Sequence, residues 1–235
     1  MSTAALALLA AYALWSMRAA WRHPGPRGNR FDPWAFALQA PLFALCCVLA
    51  FRAGVFSRSL LSPAAVVLGL AGGHLVFGLS LLITHRVWRD IREHVLDVRG
   101  FAAFLADNPM IDVRFFGVAL TEEIIYRAAG QELLLLPLTG SPWAAVIITA
   151  VLFSVVHDHF FRNSPAGSLE FLGFALLLGV LYHVTASLTL VVLIHVIRNL
   201  ESVYLEYLAL AEEKGGTEAR ETLDKMYARR SGETL

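Results

Sequence analysis

Residues 119–130 read ALTEEIIYRAAG. Two adjacent carboxylates, Glu122 and Glu123, and an arginine, Arg127, stand in a run from Phe115 to Pro137 that is otherwise apolar enough to enter a membrane. An ionisable group at bilayer depth costs at least ~2.5–3.5 kcal/mol on insertion scales, so such groups face the protein interior and mark function by default. On a helix Glu123 and Arg127 are four residues apart with the acid N-terminal to the base, the favourable order for an ion pair on one face. Glu122 points ~100° away. That spacing separates two jobs: Arg127 neutralises Glu123, while Glu122 faces a cavity in which it can take a proton from water. The competing reading is a buried ionic triad that only fixes helix packing.

The surrounding chain defines the solvent. Of its 235 residues 57% are hydrophobic and 16% charged, with a mean hydropathy of +0.61, against about 25% charged residues in an ordinary soluble domain. A membrane span needs ~20 mostly apolar residues, and seven runs qualify, some of them short: Ala4 to Met17, Trp34 to Phe56, Leu60 to Ile83, Phe115 to Pro137, Pro142 to His157, Leu169 to Tyr182 and Leu188 to Tyr204. The fold expected is therefore all-α, a polytopic transmembrane helix bundle of about seven spans with an active-site cavity inside the membrane on its cytoplasmic side. A formal net charge of zero excludes a strongly basic nucleic-acid binder. Cys46 and Cys47 are adjacent, and a disulfide between neighbours would be badly strained, so both are read as core-filling thiols. The first run lacks the basic start and small-residue cleavage site of a secretory signal and is read as a retained helix.

Basic loops stay cytoplasmic. Arg18, Arg22, Arg27 and Arg30 follow the first run, and Arg86, Arg89, Arg92, Arg99 and Arg114 lie between the third and fourth, whereas the turn at Leu138 to Ser141 has no basic residue. Seven spans with the N-terminus outside and the C-terminus cytoplasmic satisfy this distribution, as in an integral protein of a bacterial inner membrane. Residues 85–101, HRVWRDIREHVLDVRGF, place Val87, Ile91, Val95 and Val98 at helical spacing between charges, the pattern of a helix lying on a membrane surface or packed on the cytoplasmic loops. Gly215-Gly216 breaks the C-terminal segment, which reads as a charged, solvated tail. Three segments result: 1–111 with the N-terminal helices and the amphipathic stretch, 112–205 with the charged span and the last three apolar runs, and the tail 206–235.

Two later runs carry complementary chemistry. His157 closes the fifth, and His195 and Asn199 share a face of the seventh at i, i+4. At 1.5 Å per residue Glu122 lies ~10 Å inside the cytoplasmic face, and His157 and His195 fall in the same half of the bilayer. All are within reach of one wet pocket.

In this order and on separate helices, E-E-x-x-x-R (Glu122, Glu123, Arg127), F-x-x-x-H (Phe153, His157) and H-x-x-x-N (His195, Asn199) resemble the CPBP family of intramembrane proteases, which includes the CAAX prenyl endopeptidases and bacteriocin-processing relatives. The stretch GVLYHVTASLTLVVLIHVIRN is similar to that family's approach to its third motif, and the resemblance covers residues 112 to 202. It implies that Glu122 is the general base for water, that His157 holds or shares that water, and that His195 and Asn199 donate hydrogen bonds to the oxyanion. Glu123 and Arg127 would orient and charge-balance the base. Glu122, His157 and His195 also make three candidate zinc ligands with an open position. There is no H-E-x-x-H pair, and the Arg127 charge disfavours a divalent cation nearby, so a metal-independent glutamate mechanism without cofactor is the favoured reading.

The expected activity is thus endopeptidase cleavage of a membrane-associated protein or peptide at or within the lipid bilayer. The rivals are a zinc-dependent version of the same protease, a proton-coupled carrier, and a non-catalytic immunity or scaffold protein. A carrier more often repeats its charged and broken helices in both halves, whereas here the polar residues cluster in the second half. His74, in the glycine-rich GLAGGHLVFG, is read as a packing residue where small side chains let helices approach. His183 is placed at the outer surface. His159 points away from His157 on a continuous helix and nears substrate only if the helix ends there.

Overall fold

The structure is a computed structural model that describes residues 2–22, 33–58, 62–84 and 88–228. Expectations for Arg27, Arg30, Arg86, Val87 and the last seven residues fall outside the described residues. Among the described residues every regular element is helical and there is no strand, so the fold is all-α. In chain order the helices are α1 (Ser2–Arg22), α2 (Pro33–Arg52), α3 (Val55–Arg58), α4 (Pro63–Thr84), α5 (Trp88–Leu96), α6 (Val98–Asp107) and α7 (Pro109–Glu123). From α7 the chain continues without a break into a π-helix, Ile124–Leu135, and then α8 (Leu136–Thr139). Next come α9 (Pro142–Val156), a 3₁₀ turn at Asp158–Phe161, α10 (Pro165–Thr185), α11 (Leu188–Lys214) and α12 (Gly216–Leu223), with a last π turn at Asp224–Ala228.

Among the described residues the seven apolar runs fall mainly on helix, with a turn at Ala53-Gly54 inside the second and His157 beyond the helix that forms the fifth. Four helices combine the length and apolar character needed to cross a membrane: α2, α4, α10 and α11. The α9 helix is equally apolar but only 15 residues long. Large side chains on these helices face outward; Phe51 is 75% exposed and Leu75 65%. Exposed apolar area of that kind belongs against lipid, and the chain is an integral membrane protein.

Local signals set the ends that matter. Ser141 caps α9, its hydroxyl accepting from the Ala144 amide, with Pro142 in the first turn. Gly140 before it takes φ +63°, a left-handed turn that ends α8. At its other end α9 stops at His157, whose backbone is extended (φ −89°, ψ 114°). Ser164 and Pro165 then restart the chain as α10.

The residues group into two compact units, Met1–Gly69 with Leu120–Val192, and Leu70–Ala119 with Leu193–Leu235. Each unit is assembled from stretches far apart in the chain. In the first unit α1, α2, α9 and α10 all pack on the π-helix. Its residues Ile124 to Gln131 are buried without interruption.

In the second unit Ile91 of α5 packs on Phe77 and Leu81 of α4, with Val95 and Leu205 alongside. Ile91 and Val95 of the expected stripe are therefore taken up by protein, while Val98 (56% exposed), Trp88 (66%) and Leu96 (72%) stay outside. Asp97 accepts a hydrogen bond from Tyr204 at 2.5 Å and caps α6 through the Gly100 amide. The C-terminal segment is not a free tail as far as Ala228. Ala219 and Leu223 are fully buried, Arg220 pairs with Asp107, and the Tyr227 hydroxyl donates to Glu206 at 2.7 Å. Burial and the Glu206 carboxylate both push the Tyr227 hydroxyl above its ordinary value.

Candidate active site

Four of the residues singled out in the sequence lie in the first unit, on two helices that pack together. Glu123 and Arg127 form the expected ion pair, Arg127 Nε donating to Glu123 Oε2 at 3.1 Å, with both side chains 0% exposed. The guanidinium lies over the Phe153 ring, 5.2 Å from its centroid, an additional attraction for the cation. Its two Nη groups are buried with no hydrogen-bond partner. A charge so enclosed is held by its carboxylate and the ring face, and it has no contact with solvent to exchange protons.

The helix carrying this pair is widened. Runs of i→i+5 hydrogen bonding occur mostly as single turns at functional sites, whereas here the pattern covers Ile124–Leu135. Gly130 suits it: a Cβ there would come 2.8 Å from the Ile125 carbonyl oxygen. Gly179 of α10 likewise admits the neighbouring side chain, since a Cβ would come 3.0 Å from Gln131 Oε1; Gln131 Nε2 donates to the Gly179 carbonyl at 2.9 Å.

Glu122 faces differently, as the helical offset required. Its Oε1 lies 3.4 Å from His157 Nε2, and the two side chains are 15% and 21% exposed. His157 Nδ1 lies 2.6 Å from the Phe153 carbonyl oxygen. A carbonyl only accepts, so Nδ1 carries the hydrogen and, in the neutral imidazole, Nε2 presents a lone pair to the carboxylate. Two acceptors at 3.4 Å make no direct hydrogen bond. A proton on one partner, or a water donating to both, would join them. Phe153, Phe171 and His159 surround the imidazole, with ring centroids 4.6, 5.1 and 5.4 Å from that of His157. Because α9 ends at His157, His159 is carried back toward this cluster.

His195 and Asn199 belong to the second unit, on α11, where His195 is 3% exposed and Asn199 half-buried. On the same helix the structure adds a pair the sequence did not reveal. Glu201, 3% exposed, accepts or shares a hydrogen with His74 Nδ1 at 2.6 Å. His74 is thus a packing residue with an acid partner. Next to it Gly72 and Gly73 lie against Ile194 and Ile197, where a Cβ on Gly73 would come 2.6 Å from Ile197 Cβ.

A further polar cluster missed in the sequence lies in the first unit, where Glu132 accepts from Arg58 at 2.8 Å and from Tyr182 at 2.6 Å. It borders a cavity of about 160 Å³ that His183 also lines. Among the described residues no three histidine, cysteine, aspartate or glutamate side chains gather in a way that could hold a metal ion.

In this all-α membrane protein a carboxylate and an imidazole thus lie 3.4 Å apart beside a closed acid–arginine pair. Residues 107–200 match the family model described as type II CAAX prenyl endopeptidase Rce1-like, so this segment is similar to the CPBP family of intramembrane proteases. Neither the curated proteins nor the solved structures include a significant match.

Proposed function

We propose that this protein is a glutamate-dependent intramembrane endopeptidase that cleaves a membrane-associated peptide near its C-terminus, the CAAX-type reaction of the family matched at 107–200. The observation that carries the reading is the 3.4 Å approach of Glu122 Oε1 to His157 Nε2 beside the sealed Glu123–Arg127 pair. Glu122 takes a proton from water as the oxygen attacks the scissile carbonyl, and His157 Nε2 holds that water in place. Arg127 pairs with Glu123 and holds it in place, so the second carboxylate is engaged away from the water. His195 and Asn199 donate hydrogen bonds to the oxyanion as it forms, a contribution for which loss of one donor typically costs ~10²–10³ in rate. No metal is assigned a step, and the roles belong to this chain's own side chains. The active face opens to the cytoplasm, with the N-terminus outside.

Purified protein in lipid vesicles is given peptides ending in a prenylated cysteine plus a short C-terminal extension, and their unlipidated counterparts. Products are monitored by mass spectrometry. Cleavage of the lipidated peptide by the wild type, its loss in Glu122→Gln and its persistence with a chelator support the proposal. Full activity in Glu122→Gln removes the base; loss on chelation that zinc restores replaces the metal-free mechanism with a zinc-dependent one.

A further inference from the structure

The proposed hydrolysis also needs a proton for the leaving group. When the C–N bond breaks, its electron pair goes to the leaving nitrogen, which must gain a proton. Arg127 is sealed against its carboxylate, and the single hydrogen of neutral His157 is committed to the Phe153 carbonyl at 2.6 Å. Glu122, 3.4 Å from His157, takes its proton from the attacking water, and a separate donor would let the leaving nitrogen be protonated without waiting for that proton to move. Beyond the end of α9 stands another imidazole. His159 is solvent-exposed, its ring is 5.4 Å from that of His157, and it packs edge-on against Phe171 at 4.6 Å, the same ring that contacts His157.

We infer that His159 is the proton donor to the leaving amine, working on the water that Glu122 and His157 activate. This rests on the hydrolytic reading above. Water oxygen bonds to the carbonyl carbon and one water proton passes to Glu122. The tetrahedral intermediate then collapses, the C–N bond breaks, and the protonated His159 gives its proton to nitrogen. Glu122 is left protonated and His159 neutral; transfer of one proton from Glu122 to His159 through solvent restores both. The extended backbone of His157 is what makes this possible, since a continuing helix would direct the two rings to different faces. Exposure lets His159 exchange protons, and the Phe171 edge fixes where the ring stands.

The test compares His159→Ala and His159→Gln with wild type on a peptide and on an aryl ester of the same acyl sequence, whose leaving group departs without a proton. General acid catalysis is typically worth ~10²–10⁴-fold. The expected result is a fall in kcat of about a hundredfold or more on the peptide, KM changed little, ester turnover close to wild type, and partial recovery of peptide cleavage by added imidazole in His159→Ala. Equal losses on both substrates, or no loss on the peptide, overturn the assignment. An inactive wild type would instead defeat the hydrolytic reading itself.

Discussion

Two acid–imidazole pairs occur among the described residues, and they are built differently. His74 and Glu201 close to 2.6 Å, with the carboxylate 3% exposed and glycines at 72 and 73 letting α4 and α11 approach. Glu122 and His157 stop at 3.4 Å, both partly open, with the other nitrogen of the imidazole locked on a backbone carbonyl. In the tight pair His74 Nδ1 and Glu201 Oε1 engage each other directly, with the imidazole 29% exposed. The loose pair leaves a separation that a proton or a bridging water would close, and the proposed hydrolysis uses that separation.

The contrast yields graded predictions. Glu122→Gln should lower kcat for peptide cleavage by ~10²–10⁴-fold, the usual range for a general base, while Glu201→Gln, assayed in parallel, stays within a factor of about three; a comparable loss in both would erase the distinction. Arg127→Ala should reduce stability by ~3–5 kcal/mol, because it strands a fully buried Glu123. Thermal unfolding in detergent measures this, and a Tm equal to wild type contradicts it. His74→Leu should cost less, ~1–3 kcal/mol for an acid left unpaired, with KM and kcat nearly unchanged. A large drop in kcat without loss of stability would move His74 from fastening into catalysis.

Much of the site was legible because its signals are local. The i, i+4 offset of Glu123 and Arg127 fixes their pairing, and the adjacent position of Glu122 fixes its divergence, whatever surrounds the helix. The F-x-x-x-H spacing likewise brings His157 onto the Phe153 carbonyl and ring. The widening of the helix after Glu123 was not legible, since no residue in IIYRAAGQELLL forbids ordinary α geometry; only the tight fit at Gly130 shows it afterwards. His74 and Glu201 are 127 residues apart, and periodicity identifies a buried face without naming what meets it. The C-terminal segment did carry a signal that charge obscured: Ala219, Leu223 and Tyr227 recur every four residues, the stripe with which that segment docks. In residues 85–101 the stripe was visible, but a stripe does not say whether lipid or protein covers it.

The proposed hydrolysis rests on Glu122 and His157, 3.4 Å apart, acting on one water. The most direct measurement compares kcat for peptide cleavage in vesicles in Glu122→Gln, in His157→Gln and in the double variant. If both side chains act on the same water, each single change lowers kcat strongly and the double variant loses little more than the worse single one. Full activity in either single variant, or losses that multiply in the double variant, would contradict it.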